Sequence, residues 1–222
     1  MSSKAIISVT ATVSTLCQFL TGVPICLQVR RQGEAGEISG LPFAAGCLGC
    51  SLWLKYGLLI GDPAMITVNF SGLVLQACYL AFYYRFCFGV VSLSAVRRQV
   101  LTVVALVSTA YWYMDVYEKD RALAQYRLGC AAATASIGFT AAPLASLAEV
   151  IRSKSTEVLP LPLIVATFAM MLQWFVYGVL IDDAFVQVPN LVGTFVSGFQ
   201  LLLFVVYPRT RKQHVAAAVT RI

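Results

Sequence analysis

The sequence predicts an all-α membrane protein: seven transmembrane helices forming two parallel three-helix-bundle repeats joined by a linker helix. Three observations predict it. Hydrophobic residues make up 59% of the 222-residue chain and charged residues only 12%, about half the charged share of ordinary globular domains. Such a chain has too little polar surface to cover itself in water, whereas a bilayer lets apolar side chains face lipid. Seven separate stretches are long and apolar enough to cross a membrane. One pattern of tryptophan, tyrosine, aspartate and asparagine also occurs twice, in the same order and spacing.

A helix needs about 17–25 mostly apolar residues to span a bilayer. The stretches that meet this run near residues 5–29, 41–60, 64–84, 99–118, 127–151, 159–181 and 185–206. The fourth is the most polar, with Tyr111, Trp112, Tyr113 and Asp115 at one end. The first follows Lys4 and has the outline of a signal peptide, but it is too long for one. Its Gly22–Pro24 element also recurs later, so this span is expected to be retained.

Basic residues set the orientation. Eleven of the 16, including Arg30, Arg31, Arg97, Arg98 and Arg152, fall on one side; Lys4, Lys119, Arg121 and Arg127 fall on the other, and Lys55 lies within a span. This bias places the N-terminus outside and the C-terminal tail in the cytoplasm. The net charge of +6 is scattered in short clusters between apolar runs. With no recognisable nucleic-acid-binding module beside it, that pattern argues against a nucleic-acid partner. All seven cysteines lie inside apolar runs, and Cys47 and Cys50 form a CxxC with no second pair and no nearby histidine. They read as packing residues, and neither a metal site nor a cofactor is expected.

The repeat organises the rest. Residues 51–73 and 172–194 align without gaps. Trp53/Trp174, Tyr56/Tyr177, Gly57/Gly178, Asp62/Asp183, Asn69/Asn190 and Gly72/Gly193 are identical across them. Apolar composition accounts for recurring leucines, not for Trp, Tyr, Asp and Asn recurring in step. Upstream, Pro24 matches Pro143, and Pro42 matches Pro160 or Pro162 with a small shift. The chain divides into a first repeat (1–86), a linker with the fourth span (87–122), a second repeat (123–208) and a basic tail (209–222). Because the single fourth span carries the chain back, both repeats start on the same side and run parallel.

These residues resemble the SWEET sugar-transporter family. The resemblance covers residues 5–208. Its carriers are GVPICLQVRR, SGLPF, CSLWLKYGLLIGD and VNFSGL in the first half, then TAAPLASLAEVIRSKSTEVLP, QWFVYGVLIDD and VPNLVGTF in the second. The short tail after Pro208 points to an animal-type member. The resemblance implies a sugar substrate, a lipid bilayer as environment, and a plasma-membrane or Golgi location. It leaves a homo-oligomer open.

Within this frame, Trp53, Asn69, Trp174 and Asn190 each lie about two turns below the outer ends of their spans, about 8–10 Å inside the apolar slab. Two indoles and two carboxamides suit a pyranose: rings for its C–H faces, and amides, which donate and accept, for its hydroxyls. Taken by themselves, the tryptophans also fit an interfacial aromatic belt and the asparagines a helix–helix hydrogen bond. The resemblance assigns these four to the sugar site, and adds Cys17 and Ser136, each seven residues before a repeat proline. Tyr56 and Tyr177 lie one turn outward of each tryptophan, with Asp183 just beyond. The resemblance makes a tyrosine and this aspartate an outer gate, although Asp62–Pro63 and Asp182–Asp183 are also ordinary turn starters. By the same resemblance Pro24, Pro42, Pro143 and Pro160 form a proline tetrad whose bending works the inner gate; alone, they are ordinary membrane kinks.

No span carries a carboxylate at its centre, where a coupling charge would sit. The chain therefore reads as a uniporter of mono- or disaccharides, glucose-like ones first, moving by alternating access. It shows no nucleophile–base pair and does not read as an enzyme. The alternative is a proton-coupled amino-acid exporter of the PQ-loop group. Such exporters carry Pro-Gln where this chain has Pro24–Ile25 and Pro143–Leu144. A seven-helix receptor shares the topology but not the tandem repeat.

Overall fold

The computed structural model describes residues 2–36, 38–88 and 90–209, with backbone alone for 90–92. The tail beyond Arg209, including Arg211, Lys212, His214 and Arg221, lies outside the described residues. Nine α-helices follow in order among them: α1 (Ser3–Phe19), α2 (Gly22–Gln32), α3 (Leu41–Ile60), α4 (Pro63–Arg85), α5 (Val90–Trp112), α6 (Arg121–Phe139), α7 (Ala141–Ser153), α8 (Leu161–Leu180) and α9 (Ala184–Val206). A π-helical turn, Tyr113–Tyr117, continues α5. Seven of these helices or helix pairs are long and apolar enough to span a membrane.

Two spans start earlier than the apolar pattern suggests. α5 begins at Val90 and carries Arg97 and Arg98, both exposed, before its apolar stretch. α6 begins at Arg121 because Asp120 caps it, accepting from the backbone N–H of Ala122 (2.9 Å) and Leu123 (3.2 Å). Hydropathy detects the apolar slab, whereas caps set where the helix itself starts. Gln125, which the apolar pattern leaves in a loop, therefore lies within α6.

The first and fifth spans are broken, and the sequence explains where. Pro24 and Pro143 are each the third residue of α2 and α7. A proline has no N–H to give, and its ring crowds the carbonyl four residues earlier. That carbonyl belongs to Leu20 or Phe139, where the preceding helix ends. At each break a threonine hydroxyl takes up a carbonyl: Thr21 Oγ1 donates to Gln18 O (2.7 Å) and Thr140 Oγ1 to Ile137 O (2.6 Å).

For description, the end where α1 starts is the N-terminal face and the opposite end the basic face. α4 packs on both α1 and α3, and α9 on both α8 and α6. The repeats meet along α1–α8 and α3–α6, and α5 lies against α3. The α1–α8 seam is polar, with Ser14 Oγ donating to Gln173 Oε1 (2.7 Å) and Gln18 Nε2 to Thr167 Oγ1 (2.6 Å). One core, with Tyr56, Met65, Leu128, Tyr177 and Val186, draws on both repeats. Two smaller cores toward the basic face do not: one holds Val29, Tyr79 and Tyr83, the other Val150, Leu159 and Ile164. The core shared by both bundles thus lies toward the N-terminal face, and none of the described core residues is shared between them toward the basic face.

Candidate functional site

Between the repeats lies a cavity of about 190 Å³. Its walls include Trp53, Asn69, Ser136, Trp174 and Asn190, five of the six residues expected to contact substrate, together with Thr15, Thr140, Met170, Met171 and Pro189. Cys17, the sixth, is exposed and does not line it. Thr15 is there instead, and the repeat explains why. The interval of 121 residues that relates Trp53 to Trp174 also relates Thr15 to Ser136. Trp174 Nε1 donates to Thr15 Oγ1 (2.7 Å), and Trp53 Nε1 to Ser136 Oγ (2.9 Å). Each indole is thus pinned by a hydroxyl from the first span of the other repeat. Counting back from the prolines misses this, because six residues separate Thr15 from Thr21 but only four separate Ser136 from Thr140.

The carboxamides are held alike. Asn69 Nδ2 donates to Met65 O and Asn190 Nδ2 to Val186 O, both at 2.8 Å, four residues back on their own helices. A primary amide has two N–H donors and a carbonyl acceptor. One N–H fixes the orientation, and the remaining groups are the cavity's polar capacity.

Above the cavity, toward the N-terminal face, two hydrogen bonds close the way. Tyr56 OH donates to Asp183 Oδ2 (2.6 Å) and Tyr177 OH to Asp62 Oδ2 (2.5 Å). Each bond crosses from one repeat to the other, and both phenols are almost wholly buried. Each ring stands edge-on to its own tryptophan, with centroids 5.7 and 5.5 Å apart. The aspartates do two things at once. The Oδ1 of Asp62 accepts from Met65 N (2.9 Å) and caps α4, while that of Asp183 accepts from Phe185 N (2.9 Å) and Val186 N (3.2 Å) and caps α9. The cap and the bond to the other repeat use different oxygens of one carboxylate.

At the basic face nothing comparable among the described residues joins Pro24, Pro42, Pro143 and Pro160. None of the four is buried. Pro42 is the second residue of α3; the matching place in α8 belongs to Pro162, with Pro160 as the cap. Lys55 pairs with Asp115 of the π turn (2.5 Å) and lies 5.1 Å from the centre of the Tyr111 ring. Its partner is thus neither Asp62 nor Asp183.

A family model described as a sugar efflux transporter for intercellular exchange matches the chain twice, over residues 5–88 and 126–212. The sugar transporter SWEET1 of Drosophila pseudoobscura pseudoobscura is 42% identical, over 91% of this chain and 89% of the relative. The Danio rerio SWEET1 is 32% identical over 90% of each chain. A solved eukaryotic SWEET transporter superposes with a TM-score of 0.83 at 26% identity, over 94% of this chain and 100% of that one.

The chain belongs to the SWEET family. It is an animal-type, multi-pass membrane protein that transports sugar, and it is not an enzyme. In this SWEET, four contributors escaped the sequence reading. Asp62 is visible as the repeat partner of Asp183, but Asp62–Pro63 also has the form of an ordinary turn starter. Thr15 is one of several hydroxyls along α1 and Thr140 sits at the break between α6 and α7. Beyond the 121-residue interval for Thr15 and the shared Thr-x-x-Pro for Thr140, neither carries a local signal. Pro189, beside Asn190, could have been found as the one proline inside α9.

Proposed function

We propose that the protein is a facilitative uniporter for a glucose-like sugar, which it carries down its gradient by alternating access. The observation that carries this reading is the cavity of two indoles and two carboxamides, roofed by two crossed Tyr–Asp bonds. Its residues pair by the repeat, so the two bundles offer the same groups to a sugar held between them. The cavity is smaller than the about 300–1,000 Å³ that encloses drug-sized ligands, which favours a monosaccharide over a disaccharide. No carboxylate is among the described residues lining the cavity, and Asp62 and Asp183 stand above it in the roof, so the cavity itself offers no titrating group to couple transport to protons.

On this reading Trp53, Trp174, Asn69 and Asn190 hold the sugar, with Ser136 and Thr15 orienting the indoles. Tyr56–Asp183 and Tyr177–Asp62 form the outer gate, and the breaks at Pro24 and Pro143, with Pro42 and Pro160, work the inner one. Residues 1–86 and 123–208 act as the two halves, with 87–122 as linker. The N-terminal face is outside and the basic face cytoplasmic, in the plasma membrane or the Golgi. The fold captured here is then open inward.

The test is labelled glucose uptake in transporter-deficient cells, with and without a protonophore. Uptake should equilibrate without accumulating and be unchanged by the protonophore. Accumulation that the protonophore abolishes would favour a proton-coupled exporter of the PQ-loop kind.

A further inference from the structure

The two half-helices at the basic face are tied to their bundles in different ways. In the first repeat, Tyr79 and Tyr83 stand one turn apart on α4, each 8% exposed or less. The Tyr79 ring sits on Gly22, the first residue of α2, so closely that a Cβ there would lie 2.5 Å from Cε2. The Tyr83 ring sits on Gly40, just before α3, where a Cβ would lie 2.6 Å from Cε1. Only glycine permits either approach. The Tyr83 hydroxyl donates to Ile38 O (2.5 Å). Phe43 closes the cluster, its ring centre 5.5 Å from that of Tyr79 and 6.3 Å from that of Tyr83. Val29 of α2 and Val96 of α5 are buried in the same core, so the linker helix buttresses it.

The second repeat lacks this. The 121-residue interval carries Tyr79 to Gln200 and Tyr83 to Phe204, and the Thr-x-x-Pro break has Ala141 where the first has Gly22. Gln200 Nε2 reaches Pro143 O at 3.4 Å, the long end of a hydrogen bond. The buried part of the core there is Val150, Leu159 and Ile164, and none of its members among the described residues comes from α5.

We propose that Tyr79 and Tyr83 are positioning residues for transport: they lock α2 and the start of α3 to α4, making α2 the fixed jamb of the inner gate and α7 its moving leaf. The inference rests on the alternating-access reading above. Two bundles can share a site by pseudo-symmetry and still divide the motion unequally, because motion depends on how each half-helix is held. The Tyr79 hydroxyl is buried with no partner among the described residues, so it is the ring, not the hydroxyl, that holds α2.

Spin-label pairs in bilayers test this, in a cysteine-replaced background that still transports. Labels at Gln28 and Ala81 report α2 against α4, labels at Ala148 and Val205 report α7 against α9, and labels at Gln28 and Ala148 span the mouth. Between glucose-free and glucose-saturated samples, the 28–148 and 148–205 distances should shift together while 28–81 stays single and narrow. A shifting 28–148 distance accompanied by a shifting 28–81 and a constant 148–205 would overturn the inference alone. A 28–148 distance that never changes during transport would overturn the gating reading and this inference with it.

Substitutions add a second reading. Tyr79→Phe should leave transport and the 28–81 distance as they are. Tyr79→Ala should broaden that distance and lower uptake per surface molecule about tenfold, as should Gly22→Ala through overpacking. The Gly22→Ala/Tyr79→Ala double variant should be no worse than Tyr79→Ala, since the ring that the new methyl meets is gone. An unbroadened 28–81 distance in Tyr79→Ala would overturn the assignment.

Discussion

At the N-terminal face each repeat gives one phenol and one carboxylate to a crossed pair, Tyr56–Asp183 and Tyr177–Asp62. At the basic face the same interval of 121 residues puts a tyrosine ring on a glycine in one repeat and a glutamine amide near a proline carbonyl in the other. One end has kept its pseudo-symmetry and the other has not. Residues that meet across the two-fold axis must suit each other, so a change in one repeat exposes an unpaired group in its partner. Tyr79 and Gln200 meet only their own bundles, and they can diverge without that penalty.

The sharpest way to break the comparison is at the cavity, where symmetry should be strongest. A carrier must release what it binds, so affinity near millimolar is expected, about −4 kcal/mol. One lost hydrogen bond, about 0.5–1.5 kcal/mol net, then cuts apparent affinity several-fold. Asn69→Ala and Asn190→Ala should each lose most glucose uptake per surface molecule, to similar extents, with Trp174→Ala at least as severe. Glu157→Ala, in an exposed loop, should transport normally. Asparagine variants that match this control would make the carboxamides packing residues.

The gate should show how burial weights a symmetric pair. Asp62 is 8% exposed, whereas Asp183 is half-buried. Removing an acceptor from a buried donor costs about 1–3 kcal/mol, and water offsets part of that where it can reach. Asp62→Asn should therefore lower the thermal midpoint in detergent, and uptake, more than Asp183→Asn. Equal losses would mean that burial does not distinguish the two.

The smallest effect belongs to an asymmetry at the N-terminal face itself. Lys55 has Val176 as its repeat counterpart, and its partner Asp115 has a side chain 55% exposed. Exposed ion pairs contribute about 0–1 kcal/mol. Asp115→Asn should keep uptake within about twofold of the parent, and a larger loss would mean that the linker helix takes part in gating.

Much of this molecule was legible in its chain because its constraints are local or periodic. Apolar length fixed the seven spans, and the recurrence of Trp, Tyr, Asp and Asn marked the cavity and the roof. Prolines 24 and 143 told where helices break, since a missing N–H acts within its own turn. Tertiary structure decided which hydroxyl meets which indole. Thr15 and Trp174 are 159 residues apart, and the two-residue difference before the breaks sends a count from the prolines to Cys17 instead. It also decided that Asp62 and Asp183 each cap a helix and accept from a phenol at once, which requires a tyrosine from the other repeat. The seat of Tyr79 on Gly22 was invisible for the same reason: a glycine in an apolar run states only that a side chain is absent, and what fills its place comes from another helix.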